Sequence, residues 1–398
     1  MTTNSKKPRI EVVDALRGFA VLGIILLHSI EHFNFYVFPD AAEQPAWLNS
    51  LDSGVWQTLF FLFSGKAYSI FALLFGFTFF LQHSKQKEKG SDFGLRFLWR
   101  LLLLFLFALF NGLFMPGEVL LMYALVGVVF YFFRNKSNKT VFVFAIILML
   151  QPVEWFNYFM SVFSPGYEFA VNYSWPYWDK VNHYLASSSI WEAFKGNTIY
   201  GHKASLIWAW ENGRITQSAG LFLIGMLLGR KGLFFTNEEN KKFWIKTLAA
   251  GAGVFILLQV VIGLYNPGNS EMVSNSVGIV LRMWANMGVT AVWVAGFILL
   301  FYNLRFQKVQ RKLMPYGRMS LTNYITQSMF GGMLFYGYGA GLAFYCSATL
   351  SVMVGAAFLF VQLNFCRWWI SKYGQGPFEK LWHKLTWIKP PQRNLSEA

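Results

Sequence analysis

The sequence predicts an all-α polytopic membrane protein with about ten transmembrane helices, both termini cytoplasmic, and an aromatic-rich external cap between helices 5 and 6. Of its 398 residues, 55% are hydrophobic and 13% are charged, whereas about 25% of the residues in a typical soluble domain are charged. The apolar residues form long runs, and most basic residues lie in one set of the connections between them. This composition excludes a disordered chain, a collagen-like fibre and a disulfide-stapled secreted domain, and it argues against a soluble enzyme.

Long apolar runs define the predicted crossings. A bilayer core about 30 Å thick is spanned by about 20 residues of α-helix, which rises about 1.5 Å per residue. The ten runs lie at residues 15–35, 56–82, 97–114, 119–133, 141–163, 215–229, 244–264, 277–303, 320–338 and 343–365. Gly65 interrupts the second run, which is too long for one straight crossing, so its first part is expected at the interface or as a re-entrant segment.

The distribution of basic residues predicts the orientation. Most of the 34 Lys and Arg lie in the N-terminal tail (1–14), in the connections after runs 2, 4, 6 and 8, and in the C-terminal tail (366–398). Positive charge marks the cytoplasmic side and attracts anionic headgroups. The sequence therefore predicts two cytoplasmic tails flanking a single transmembrane domain (15–365). The net charge of +15 indicates the lipid bilayer as a partner and no nucleic acid.

The external segment 164–214 is rich in aromatic residues, which favour the headgroup layer. Five Trp and five Tyr lie in it, at positions 175, 178, 191, 208 and 210 and at positions 167, 173, 177, 184 and 200. Two interpretations stay open. The segment either lies as a cap on the outer leaflet or forms a lid over an outward-facing substrate site.

The first run carries an ionisable stripe, formed by Asp14, Arg17, His28, Glu31 and His32. Arg17 and His28 are eleven residues apart, which is nearly three full turns, so both side chains point the same way about 16 Å apart. Asp14 lies one turn before Arg17 and can pair with it. Because ionisable groups are costly in lipid, the stripe should face the interior of the helix bundle.

The stripe suits acyl transfer. His28 can act as a general base, Glu31 can orient its imidazole, and Arg17 can hold a phosphate. Together they fit the transfer of an acyl group from a cytoplasmic phosphate-bearing thioester to a hydroxyl. In the alternative interpretation, Arg17 reaches the cytoplasmic interface and the histidines form a structural network.

The same segment, His28-Ser-Ile-Glu31-His32, matches the H-x-x-E-H zinc-peptidase pattern. Two imidazoles four residues apart on a helix can hold zinc, but a third ligand is required. The other histidines show no partner motif, so no metal site is predicted.

Further polar residues lie within or beside the runs. Lys66 follows Gly65, Arg282 and Asn286 are one turn apart, and Arg318 precedes a stripe that includes Asn323 and Gln327. These groups either hydrogen-bond between helices or line a hydrophilic cavity for substrate or donor. Because cations outnumber acids among them, such a cavity would favour an anionic ligand.

Five short motifs follow one another along nearly the whole chain. They are Arg9-Ile-Glu-Val-Val-Asp14-Ala-Leu-Arg17-Gly, Gly65-Lys66-Ala-Tyr-Ser-Ile-Phe-Ala-Leu-Leu-Phe-Gly76, Pro116-Gly117-Glu118-Val-Leu-Leu-Met-Tyr123, Gly317-Arg318-Met-Ser-Leu-Thr-Asn323-Tyr324 and Gly376-Pro377-Phe-Glu379-Lys-Leu-Trp382. In this order they resemble the YeiB-like family of bacterial membrane proteins, domain of unknown function 418. That family is similar to a larger group of transmembrane acyltransferases, in which an arginine and a histidine of the first helix are spaced as Arg17 and His28 are here.

The resemblance implies two classes of function in the bacterial inner membrane. The related acyltransferases move acyl groups from cytoplasmic acyl-coenzyme A to extracytoplasmic sugars, which implies an acyl-CoA donor, a small-molecule or glycan acceptor and no tightly bound cofactor. The YeiB-like family has also been described as involved in transport. In that alternative, the cavity moves a small anionic solute, the His28–Glu31 pair couples protons, and the broken second run lines the path. The sequence leaves the oligomeric state open.

Overall fold

The computed structural model describes residues 10–33, 38–164, 172–265 and 271–388. The basic residues Lys6, Lys7 and Arg9 of the predicted N-terminal tail lie outside the described residues. So do residues 165–171 of the predicted cap and residues 389–398 of the predicted C-terminal tail.

The described residues form helices and no β-strand. The first half of the chain contains α1 (Glu11–Glu31), α2 (Ala46–Phe63), α3 (Ala67–Lys87), α4 (Gly94–Phe114), α5 (Val119–Val126), α6 (Val129–Phe133), α7 (Asn138–Met149), α8 (Pro152–Phe163), α9 (Trp175–Leu185) and α10 (Ile190–Gly196). The second half contains α11 (His202–Glu211), α12 (Arg214–Arg230), α13 (Glu238–Leu264), α14 (Glu271–Phe301), α15 (Leu304–Gln310), α16 (Met314–Arg318), α17 (Ser320–Phe335), α18 (Ala348–Tyr373) and α19 (Pro377–Thr386). The predicted all-helical class is confirmed.

Among the described residues, six segments are long and apolar enough to cross a membrane, or seven if the bent pair α7–α8 is one span. The six are Glu11–Glu31, Ala46–Lys87, Gly94–Phe114, Glu238–Leu264, Asn275–Phe301 and Ala348–Tyr373. The other predicted runs form shorter helices: α5 with α6, the 17-residue α12 and the 16-residue α17. These apolar helices indicate a membrane protein, while ten crossings and cytoplasmic termini stay predictions.

The break expected in the second run is present. Helix α2 ends at Phe63, α3 begins at Ala67, and Gly65 between them has a φ of 76°. Only glycine adopts this left-handed conformation without strain, so the residue type explains why the helix stops here.

Helix α1 lies in the centre of the fold, where it packs against α3, α16, α17 and α18. Gly18 faces the Leu313 carbonyl and Gly317 faces the Asp14 carbonyl so closely that a Cβ at either glycine would overlap the backbone. Close packing of this kind through small residues is common between membrane helices. The ionisable stripe on α1 is therefore surrounded by protein.

Helices α3 and α12 are packed equally closely. A Cβ at Gly76 would overlap the Phe222 carbonyl, and a Cβ at Gly225 would overlap the Leu73 carbonyl. Helix α13, in contrast, packs mainly on α14 and leaves a broad apolar face exposed, which includes Leu257 and Leu264. The centre of the molecule therefore depends on backbone contact, while its edge presents a surface suited to lipid.

Candidate functional site

A first cavity of about 310 Å³ lies beside the N-terminal half of α1. Arg17, Arg100 and Arg318 contribute positive charge to its wall, beside Gln82 and Glu379. The guanidinium of Arg17 donates to Asp14 Oδ1 at 3.2 Å and to Thr78 Oγ1 at 3.0 Å. An arginine carries five N–H donors, so Arg17 keeps further donors for a ligand.

The other two arginines of the first cavity are held by the C-terminal part of the chain. The guanidinium carbon of Arg100 lies 3.5 Å from the ring centroid of Trp382, whose indole N–H donates to the Arg100 carbonyl at 3.1 Å. Arg318 donates to the carbonyl of Gly374. Both guanidinium groups are thereby fixed in orientation at the wall of the cavity.

Helix α19 closes this side of the first cavity. The Glu379 carboxylate accepts hydrogen bonds from the backbone N–H of Leu321 at 2.7 Å, from that of Thr322 at 3.0 Å and from the Thr322 hydroxyl at 2.6 Å. Burial raises the pKa of Glu379, although these hydrogen bonds act in the opposite direction. Burial, together with the nearby Arg100, lowers the pKa of His383.

A second cavity of about 380 Å³ lies beside the C-terminal half of α1. Its ionisable wall residues are His28, Glu31, His32, Glu118 and Arg214. Trp175, Trp178 and Trp208, from α9 and α11 within the aromatic-rich segment, form another part of the wall. The described part of this segment therefore lines a cavity that also contains His28.

The two histidines form a compact pair. The ring centroids of His28 and His32 are 5.1 Å apart with the rings nearly perpendicular, and the ring of Tyr324 lies 5.6 Å from that of His28. In the described part of the chain, the Nδ1 atoms of both histidines are buried without a hydrogen-bond partner. Gly117, with a φ of 89°, passes so close to His32 that a Cβ there would touch the imidazole. The turn at Gly117 therefore fixes the position of His32.

Glu118 connects this turn to the cavity. Its buried carboxylate accepts hydrogen bonds from the Leu120 N–H, which caps α5, and from the Asn111 side chain. The hydroxyl of Tyr324 accepts from the backbone N–H of Val119, the residue after Glu118, at 3.5 Å. Glu118 and Tyr324 therefore lie close together in the wall that also contains His28.

Arg214 contributes the positive charge of the second cavity. Its guanidinium carbon lies 4.5 Å from the ring centroid of Tyr68 and 5.0 Å from that of Trp208. It also lies within electrostatic range of Glu31 and Lys66. Arg214, a residue that sequence reasoning had placed in an external connection, therefore adds a positive charge to the cavity that contains Glu31.

The two cavities adjoin each other. Ile24, Tyr68, Val119 and Tyr324 line both of them. Arg17 and His28 consequently face the same side of α1, as predicted from their spacing, but each opens onto its own cavity. These four residues form a wall shared by the two cavities.

Three predicted binding residues line neither cavity. Lys66 is buried at the start of α3, with its Nζ atom 5.7 Å from the Phe61 ring centroid. Asn286 packs against the backbone of Gly65, and Arg282 is exposed on α14. Lys66 and Asn286 therefore lie beside the second cavity without lining it, whereas Arg282 is exposed outside both cavities.

Asn323 and Gln327 lie in a hydrogen-bonded network between helices. The Asn323 amide donates to the Tyr316 carbonyl at 3.0 Å, and the Gln327 amide donates to the Tyr316 hydroxyl at 2.9 Å. Gln362 of α18 joins them by donating to the Asn323 carbonyl at 3.2 Å. Of the two interpretations of this stripe, the geometry of these residues is that of interhelical hydrogen bonding.

Sequence reasoning named none of Tyr68, Arg100, Glu118, Arg214 and Tyr324 as site residues. A usable signal existed for Tyr68, Glu118 and Tyr324, because these three fall inside the short motifs quoted above. Within residues 10–33, 38–164, 172–265 and 271–388, no group of three or more His, Cys, Asp or Glu side chains is arranged to hold a metal ion.

Replacing Glu118 by alanine should destabilise the protein by about 2–4 kcal/mol. The change removes a helix N-cap and leaves the buried Asn111 amide without its acceptor. A lower melting temperature of the purified protein in detergent would show this loss. Ser189→Ala, which removes an exposed cap on α10, should cost only about 0.5–1 kcal/mol. Equal melting temperatures for the two variants would contradict the role assigned to Glu118.

Comparison with known proteins finds a family that matches the C-terminal part of the chain and relatives that match nearly all of it. The family described as "Protein of unknown function (DUF418)" matches residues 228–389. The chain is 26% identical to the uncharacterized protein YxaH of Bacillus subtilis (strain 168) over 404 residues, covering 96% of this chain and 94% of that protein. It is also 26% identical to the uncharacterized protein YeiB of Escherichia coli (strain K12) over 398 residues, covering 94% and 95%. The chain is therefore similar to YeiB and YxaH along nearly its whole length, and its C-terminal part matches DUF418. No solved structure matches the chain.

The DUF418 match covers only part of the two cavities. Arg318, Tyr324 and Glu379 lie within residues 228–389, whereas Arg17 and His28 lie outside them. A third relative, an uncharacterized 39.9 kDa protein of Bacillus acidopullulyticus, is 26% identical over 404 residues and 95% of this chain. The YeiB-like relatives therefore extend across both cavities, and their names state no activity.

Proposed function

We propose that this protein is a transmembrane acyltransferase. It moves an acyl group from a cytoplasmic acyl-CoA-type donor in the first cavity to an acceptor in the second cavity. The observation that carries the proposal is the pair of adjoining cavities on one face of α1, of which one contains three guanidinium groups and the other contains imidazoles and carboxylates.

The first cavity suits the phosphates of the donor. Arg17, Arg100 and Arg318 converge on it, and guanidinium groups bind phosphate through charge-assisted hydrogen bonds. Arg318 was among the donor-binding residues predicted from the sequence, and Arg100 takes the role that the sequence had offered to Lys66 and Arg282.

The second cavity suits the reacting atoms. His28 takes the proton of an acceptor hydroxyl or amine as its oxygen or nitrogen bonds to the acyl carbon. The carbon–sulfur bond of the thioester breaks, and the thiolate of the donor leaves and takes up a proton. Glu31 and Arg214, with Glu118 and Tyr324, position the groups around His28. General base catalysis of this kind contributes about 10²–10⁴-fold to a rate.

The donor has to reach from one cavity to the other. Eleven residues of helix separate Arg17 from His28, which corresponds to about 16 Å along the axis of α1. A donor with its phosphates at Arg17 therefore needs an extended arm to bring the thioester past Tyr68 and Tyr324. A thioester joined to its phosphates by a long flexible arm meets this requirement.

Calorimetric titration with coenzyme A tests the donor site. The purified protein should bind coenzyme A, and Arg17→Gln should weaken binding by about 10- to 100-fold because it removes charged hydrogen bonds worth about 1.5–3 kcal/mol. Arg282→Gln is the matched control, since Arg282 is exposed outside both cavities, and it should leave the affinity unchanged. An absence of binding, or an equal loss in both variants, would contradict the proposal.

A second candidate function is transport of a small anionic solute, with proton coupling by His28 and Glu31. The observation that favours it is the broken segment at Ser64 and Gly65, which lines the second cavity, because discontinuous helices commonly form transport sites. Accumulation of a solute in proteoliposomes by a protein that does not bind coenzyme A would favour transport over acyl transfer.

The proposal also includes the arrangement in the membrane. We place the protein in the bacterial inner membrane, with ten crossings in one transmembrane domain (15–365), cytoplasmic tails at 1–14 and 366–398, and residues 164–214 outside. The density of Lys and Arg on the first-cavity side supports this orientation. The bilayer and a small-molecule or glycan acceptor are its partners, without nucleic acid and without a tightly bound cofactor.

A further inference from the structure

The wall between the two cavities contains one well-fixed and one less restrained aromatic ring. Tyr324 is 4% exposed, and its hydroxyl accepts from the Val119 N–H. Tyr68 is only half-buried, and its side-chain hydroxyl is held by a single hydrogen bond to Gln217. In the wall between the two cavities, Tyr324 is therefore the fixed residue and Tyr68 is the less restrained one.

The backbone near Tyr68 allows movement of its ring. Tyr68 follows the helix break by three residues, where Gly65 has a positive φ of 76°, and its carbonyl is anchored by the Tyr123 hydroxyl at 2.5 Å. The backbone of residue 68 is thereby fixed, so an opening at this position would require rotation of the ring about its side-chain bonds, away from Gln217 and Arg214. Movement of this kind would join the two cavities without moving a helix.

Arg214 connects this ring to the contents of the second cavity. Its guanidinium lies over Tyr68 and within electrostatic range of Glu31. A ligand that draws Arg214 or Glu31 toward itself weakens the cation–π contact on Tyr68. Occupancy of the second cavity and the position of the ring are therefore linked.

We propose that the Tyr68 side chain is a gate between the two cavities, held closed by Gln217 and Arg214 and released when a ligand engages Arg214 in the second cavity. The proposal depends on the two cavities and on Tyr68, and it holds for either acyl transfer or transport. The gate limits passage to groups narrow enough to pass between Tyr68 and Tyr324.

Cysteine labelling in sealed vesicles tests the gate. In a chain with Cys346→Ser and Cys366→Ala, the reporter Gln82→Cys lies in the first cavity and the reporter Asn182→Cys lies in the second. A charged, membrane-impermeant methanethiosulfonate is added to vesicles of either orientation. With Tyr68 present, each reporter should react from its own side only. With Tyr68→Ala, each should react from both sides.

Three single-residue variants distinguish the effect of the Tyr68 ring from other effects on labelling. Tyr68→Phe keeps the ring and should leave labelling one-sided. Phe71→Ala removes an aromatic ring that lines the first cavity alone and should also leave it one-sided. Arg214→Gln should raise labelling from the opposite side by about 2- to 5-fold, the factor equivalent to an exposed cation–π contact.

Three outcomes would overturn the gate. They are two-sided labelling with Tyr68 intact, one-sided labelling in a folded Tyr68→Ala protein, and equal opening by Tyr68→Phe and Tyr68→Ala. If Tyr68→Ala does not fold, Tyr68→Leu supplies the same test, because it removes the ring and keeps an apolar side chain. No substrate is needed, so a failed coenzyme A titration and a failed gate are distinguishable.

Discussion

Replacing His28 by alanine is expected to slow acyl transfer by about 10²–10⁴-fold, the range that general base catalysis supplies. The His28 ring lines the second cavity, and its Nδ1 atom has no hydrogen-bond partner in the described part of the chain. The substitution therefore breaks no hydrogen bond at Nδ1, and the variant should still fold. Release of free thiol from acetyl-CoA, measured in membranes that contain the native acceptor, reports the rate.

The matched control is His183→Ala. His183 is exposed on α9 and lines neither cavity, so this variant should keep the full rate. A His28→Ala protein as fast as the unchanged chain would remove His28 from the reaction. Equal losses in the two variants would point to a general effect on the protein.

Replacing Gly225 by alanine is expected to destabilise the fold by about 3 kcal/mol or more, the upper range of overpacking effects. A Cβ at this position overlaps the carbonyl oxygen of Leu73 on α3, and backbone atoms cannot rotate away as a side chain can. Helices α12 and α3 would have to separate. The melting temperature in detergent and the yield of monodisperse protein measure the loss.

Gly263→Ala is the matched control for this prediction. A Cβ at Gly263 meets nothing within 4 Å on the exposed side of α13. Alanine has a higher helix propensity than glycine by about 1 kcal/mol, so this variant should melt at the same temperature or slightly higher. If both variants melted at the same temperature, the contact between α3 and α12 would not limit the stability of the protein.

Much of the fold follows from the sequence because apolar runs and helix breaks are local properties. The break at Gly65 is one example, since the length of the second run and the glycine within it together predict it. The number of crossings is less certain from sequence, because helix ends depend on turns. Helix α12 begins directly after Gly213, whose φ is 62°, and ends at Arg230, so it has 17 residues and extends the predicted run 215–229 by one residue at each end.

The site could be predicted only where one helix contains it. Arg17 and His28 share a face because helical periodicity fixes their relative direction. The rotation of one helix against another is set by tertiary packing, which explains why Arg282 faces outward although its residue type indicated a ligand site. Arg214 and Glu118 stand at helix starts, where periodicity assigns no face.

The central position of α1 has a consequence for how the molecule is made. Helix α3, which holds Arg17 through Thr78, follows α1 closely in the chain, whereas α16, α17 and α18 come from its far end. Nascent or truncated chains that stop before α16 would therefore leave the face of α1 that contains Gly18 without its partner helix. This uncovered face is a feature by which proteases and insertion chaperones can distinguish an unfinished molecule from a complete one.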